Sequence, residues 1–284
     1  MNIGYILPIY YTFKRYINDK ETNDKNLIDK LVMVGSDYIK LTPFYLSVFI
    51  YVFMENLPLI STTLKLIESI VLVFLAVQST YEIGYLINDN VSSKREGKKG
   101  KNRLGEFLTI YELIFSLLIR VAFSVIILYI IKVVFGSLYV ITLIKLLITL
   151  LVLFSVYNMV TPRYRALILF FPLRFIKNIS YFYSVLIIPN ITINEIILYS
   201  VVLAINGLIV YVLRKIPDEE IRLQAHIYEI FLQLFGLTLT ISLPMIIFHY
   251  VSIVFVVILN TILLSYTLIS ILFKRGVSNN EHNS

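Results

Sequence analysis

Residues 251–273 read VSIVFVVILNTILLSYTLISILF, an apolar run without a single charged side chain. A helix needs roughly 20 predominantly apolar residues to cross the hydrocarbon of a bilayer. This run meets that length, and it is the last of a series: hydropathy places spans near 41–60, 64–87, 106–131, 138–158, 166–188, 192–213, 226–248 and 250–272. One such run would fit a buried core helix. About eight in series predict an all-α, polytopic transmembrane helix bundle. Composition agrees, since 58% of residues are hydrophobic and only 15% charged, whereas soluble domains carry about a quarter charged residues.

The formal charge of +7 would raise nucleic acid as a partner of a soluble protein. Here the basic residues fall in short segments between alternate apolar runs. Lys94, Arg95, Lys98, Lys99, Lys101 and Arg103 follow the second span, Arg163 and Arg165 the fourth, Arg214, Lys215 and Arg222 the sixth, and Lys274 and Arg275 the last. The opposite connections hold few, mainly Lys65 and Lys132. That asymmetry is the positive-inside signal, so the expectation is no nucleic acid, a multi-pass integral membrane protein, and both termini cytoplasmic. Residues 1–40 read as a cytoplasmic lead-in, 41–273 as the bundle and 274–284 as a cytoplasmic tail. The chain has no cysteine, which excludes thiolate metal sites, cysteine nucleophiles and disulfides.

Nearly all polar sequence outside the spans lies in the loops expected to face the cytoplasm, so chemistry is expected there. The second span runs into YEIGYLINDNVSSKRE, residues 81–96. At helical spacing Glu82, Tyr85, Asp89, Ser92 and Glu96 share one face. A carboxylate at a membrane boundary is costly unless it meets water or a cation. Mg²⁺ takes oxygen ligands, usually one or two carboxylates plus substrate phosphates. Asp89, Glu96 and the amide of Asn88 supply such oxygens, with Ser92 a weaker donor. The alternative is a helix end whose acids and amides cap the helix or pair with Lys94, Arg95 and Lys98.

The order of a tyrosine-rich helix end, Asn88-Asp89, spaced polar and acidic residues and a basic stretch resembles the first aspartate-rich motif, N-D-x-x-D-x-x-x-D, of the UbiA superfamily of membrane prenyltransferases. Asn88 and Asp89 match it, Ser92 replaces the middle aspartate and Glu96 the last. The loop after the second span is also where the family carries the motif. The family's second acidic motif follows its sixth helix, where this chain has Asp218, Glu219 and Glu220 without the D-x-x-x-D spacing. The basic residues flanking Tyr164, Arg163 and Arg165, are similar to a tyrosine with basic neighbours found in the family between the fourth and fifth helices.

The resemblance implies a UbiA-like bundle in which Mg²⁺ ions, held by Asp89, Glu96, Asp218, Glu219 and Glu220, bridge to an isoprenyl diphosphate. It also implies transfer of the prenyl group to an acceptor, with Asn88 beside the catalytic carboxylates. Arg163, Arg165, Arg174, Lys177 and Arg222 are then the candidate diphosphate-binding cations. Arg174 and Lys177 lie about 12–17 Å along the fifth span at 1.5 Å per residue, with Tyr181 one turn on. They either face the bundle interior to bind phosphate, or snorkel or pair with an acid such as Glu112 or Glu68. Asn158 serves either as a ligand or as an interhelical hydrogen bond. Glu219, Arg222, His226 and Glu229 recur at helical spacing and could set a carboxylate beside a base.

Two readings compete with prenyl transfer. One is phosphoribosyl-type transfer from a phosphorylated sugar to a polyprenyl phosphate. The other is a non-catalytic transporter or inactive homologue. The expected partners are an isoprenyl or polyprenyl lipid and the surrounding membrane lipids.

Overall fold

A computed structural model describes residues 11–12, 38–55, 58–92, 108–160, 168–189, 191–213, 227–247 and 251–281. Among them the chain is helical, with no strand, and eight α-helices follow one another: α1 (Thr42–Met54), α2 (Leu59–Ile87), α3 (Ile110–Phe135), α4 (Ser137–Met159), α5 (Phe170–Phe182), α6 (Ile193–Leu213), α7 (Ile227–Ile247) and α8 (Ile253–Glu281). A π-helical turn, Asn88–Ser92, extends α2, and a 3-10 turn, Tyr183–Ile187, extends α5. Each expected interval therefore holds a helix. Three of the helical stretches, Ile60–Val91, Ile110–Phe135 and Ser137–Met159, are long and apolar enough to cross a membrane.

Two details lie beyond the hydropathy reading. In the fifth interval the α-helix Phe170–Phe182 tightens into the 3-10 turn Tyr183–Ile187, and Pro189 follows. At the other end, α8 continues to Glu281, so the polar tail begins as a helical extension.

The chain divides into two compact units that do not follow sequence halves. The first gathers the described residues up to Ile39 with Lys65–Ile187, and the second Lys40–Leu64 with Ile188–Ser284. In the first, α4 packs against both α3 and α5. Helix α3 starts with a capping box: the Thr109 hydroxyl accepts from the Glu112 N–H, and the Glu112 carboxylate accepts from the Thr109 N–H, satisfying donors that a helix start leaves open. Glu112 is thus occupied as a cap, not as the partner of Lys177. Between α3 and α4 stands only Gly136, at φ 93°, a left-handed conformation that a side chain would strain.

The packed face of α3 is its more polar one. Leu113, Ser116, Arg120, Ser124, Ile127 and Ile131 are buried at spacings of three and four, while Ile114, Phe115, Leu118, Val121 and Val125 are exposed. Water selects the reverse pattern. Lipid selects this one, because hydrocarbon leaves no hydrophobic drive between helices and small or hydrogen-bonding residues hold the interface.

In the second unit, α8 packs on α7 and α1, and α7 on α6. The rings of Phe44 and Tyr199 stack at 5.6 Å, and Phe255 meets Phe44 edge-on at 5.5 Å. Glu195 ties two helix starts together: it accepts from the N–H and hydroxyl of Thr192 at the head of α6 and from the Ser252 N–H, 3.1 Å away, just before α8.

Candidate functional site

The first unit buries several polar and ionisable groups along the C-terminal half of α2 and the π turn that follows it. Gln78, Tyr81, Glu82 and Asp89 are all buried, and the last three lie three, four and eleven residues after Gln78, spacings that keep side chains on one side of a helix. Glu82 and Asp89 share a partner strand of chain: Thr12 donates both its N–H (2.8 Å) and its hydroxyl (2.9 Å) to Glu82 Oε1, and the adjacent Tyr11 donates its hydroxyl to Asp89 Oδ2 at 2.8 Å. The expected common face thus holds for these two acids. From Asn88 the helix widens into the π turn, so the α-helical step no longer carries the register on to Ser92. Such π turns concentrate at functional sites.

Glu82 forms an ion pair that hydropathy alone does not announce. Arg120, in α3, donates from Nε to Glu82 Oε2 at 3.0 Å, both side chains are fully buried, and Arg120 Nη1 also donates to the Ser116 carbonyl at 3.1 Å. The Arg120 guanidinium lies 5.6 Å from the centre of the Tyr11 ring. Gln78 completes the network: its amide donates to the Thr12 hydroxyl at 2.7 Å, and its carbonyl accepts from the hydroxyls of Tyr38 (3.1 Å) and Tyr181 (2.8 Å).

Lys177, one of the expected phosphate-binding cations, is buried. Its ammonium stands 4.2 Å from the centre of the Tyr81 ring and 5.8 Å from that of Tyr181, a cation–π placement that stabilises the charge where water is scarce. Through Tyr181 it joins the Gln78 network. Arg174, by contrast, lies over the Phe170 ring at 5.4 Å and is only half-buried.

Tight packing fixes α2 against α4. The Phe154 ring sits between Tyr81 and Tyr85, with centroids 4.8 and 5.5 Å away. Asn158 donates to the Gly84 carbonyl at 3.3 Å, an interhelical hydrogen bond of the kind expected for it. A Cβ at Gly84 would come within 2.5 Å of the Phe154 ring. Gly84→Ala is therefore expected to destabilise the protein by about 1–3 kcal/mol, the usual cost of overpacking, read as a fall in unfolding midpoint in detergent. Shrinking the ring with Phe154→Leu should restore part of the loss.

Asp89 is also held from its own turn, by the Asn88 amide donating to Oδ1 at 3.1 Å. Asn90, within a glycosylation-like triplet, is buried: its amide donates to the Leu86 carbonyl and its oxygen accepts from the Leu108 N–H, both at 2.9 Å. That side chain closes the end of α2 onto the approach to α3 and is closed to modification.

A divalent ion can be weighed against this donor set. One carboxylate is the kind of protein contribution Mg²⁺ uses when substrate phosphates complete its shell, and Asp89 is the one expected metal ligand among the described residues. Glu82 does not join it, being committed to Arg120. Among the described residues no three acids or histidines stand together as a metal cluster. Glu96, Arg163, Arg165, Asp218, Glu219, Glu220, Arg222 and His226 lie outside the described residues, as does the side chain of Ser92. Comparison of the chain with protein-family models, with curated proteins and with solved structures finds no match.

Proposed function

We propose that the chain is a UbiA-like membrane transferase of about eight spans, with its working face cytoplasmic, that moves a prenyl group from an isoprenyl diphosphate to an acceptor with the help of Mg²⁺. The observation that carries this reading is the buried Asp89 with the half-buried Asn88 bonded to it, placed where an apolar helix ends in a π turn. The polar network on the same helix reaches, through Gln78 and Tyr181, to the buried cation Lys177. Intramembrane ionisable groups are expensive and cluster at functional sites.

In this proposal Asp89 and Glu96 hold the metal. Mg²⁺, when bound, neutralises charge that develops on the departing diphosphate. Lys177 adds a fixed positive charge for the same oxygens, with Arg163, Arg165, Arg174 and Arg222 as further partners. The Tyr81, Tyr85 and Phe154 rings, edge to face with one another, offer π surfaces to an allylic cation. The apolar residues around them exclude the water that would capture it.

A second reading has an observation of its own. Both Asp89 oxygens accept hydrogen bonds from within the chain, an arrangement that also suits a homologue that binds a lipid phosphate without turning it over. The deciding experiment incubates the protein in lipid nanodiscs with Mg²⁺ and isoprenyl diphosphates and measures released diphosphate. Release supports prenyl transfer, whereas turnover only with a phosphorylated sugar and a polyprenyl phosphate would reassign the donor. Mg²⁺-dependent binding without turnover would select the second reading.

A further inference from the structure

Tyr11 and Thr12 come from far along the chain to the two acids of α2, and each acid receives a different kind of contact. Thr12 gives Glu82 two donors and takes one from Gln78, so it belongs with the internal Glu82–Arg120 pair. Tyr11 donates its hydroxyl to Asp89 Oδ2 at 2.8 Å. Its ring is fully buried among Leu86, Leu108 and Leu113 and faces the Arg120 guanidinium on one side. A ring so enclosed has little freedom, and its hydroxyl therefore fixes where the Asp89 carboxylate points.

We propose that Tyr11 is a positioning residue for Asp89: it holds the carboxylate in the orientation in which it takes a divalent ion. The inference rests on the metal-dependent reading above. Hydrogen-bond partners of metal-binding carboxylates orient the ligand and tune its affinity, and their loss commonly costs about 10–100-fold in metal binding. A hydroxyl that accepts and donates can keep one carboxylate lone pair engaged and leave another directed at the ion. Thr12, two turns of α2 away from Asp89 through Glu82, has no such role.

The test is direct binding of Mn²⁺, an oxygen-seeking stand-in for Mg²⁺, to the full-length protein in nanodiscs. It is measured by electron paramagnetic resonance alongside the unfolding midpoint of each sample. Wild type is expected to bind and Asp89→Asn to lose binding. Tyr11→Phe should bind about 10–100-fold more weakly while staying folded. Thr12→Val should lose stability but keep the wild-type affinity. Wild-type affinity in Tyr11→Phe would reduce the contact to packing and overturn the inference. Tighter binding in Tyr11→Phe would overturn it too, by making the hydroxyl a competitor of the ion. Equal weakening in Thr12→Val would assign the effect to docking of the whole segment and also overturn it. Absence of binding by wild type, or its survival in Asp89→Asn, removes the metal-dependent reading itself and the inference with it.

Discussion

Arg120→Met is expected to lower the unfolding free energy by about 3–5 kcal/mol, because removing one partner of a buried pair leaves the other charge uncompensated. Arg120 is fully buried and 3.0 Å from Glu82. Without it, the Glu82 carboxylate keeps the two donors of Thr12 and loses its countercharge. The double variant Glu82→Gln with Arg120→Met removes both charges and should recover most of the loss, since a neutral pair of similar volume often matches a buried ion pair. Reversible unfolding in mixed micelles measures both, and the coupling follows from the double-mutant cycle. A single-variant loss below about 1 kcal/mol, the scale of solvent-exposed pairs, would show that water reaches the pair and that the enclosed network described above is wrong.

The second large effect is on turnover. Asp89→Ala and Glu96→Ala are each expected to abolish Mg²⁺-dependent turnover, a fall of at least about 10²–10³-fold, comparable to removing one preorganised group that stabilises transition-state charge. Stability should change little by comparison in Asp89→Ala, where the bonds lost among the described residues are worth about 1 kcal/mol each. An activity loss that tracks the unfolding midpoint would instead mark Asp89 as a structural anchor. Unchanged turnover in both variants would refute the proposed chemistry.

The helices were legible in the sequence because hydropathy in a lipid-facing chain is strong and repeated. Each expected interval contains an α-helix, and the α3–α4 connection falls on Gly136. What hydropathy does not encode is the kind of helix at the end of the fifth interval, where the α-helix gives way to a 3-10 turn ahead of Pro189. The common face of Glu82 and Asp89 followed from spacing.

Their partners did not follow from spacing. Arg120 is one of three charges in a long apolar helix, too few to lower its mean hydropathy below that of a span, yet an ionisable residue inside such a run is itself a signal to look for a partner. Glu82 was readable as an acid at a membrane boundary, but its pairing with Arg120 depends on how α2 meets α3. Tyr11 and Thr12 lie in the stretch read as a lead-in, and their contacts with α2 arise only from tertiary docking. Asn158 had two open readings, and the close approach of Phe154 to Gly84 goes with the interhelical one. Arg174 and Lys177 were placed together by sequence, whereas Lys177 alone joins the buried aromatic network.

The most direct measurement is equilibrium binding of a non-reactive prenyl diphosphate analogue to the full-length protein in nanodiscs, with and without Mg²⁺. Tight binding that needs the ion and disappears in Asp89→Ala is the predicted result. Binding indifferent to Mg²⁺ and to Asp89, or no binding at all, would contradict the account.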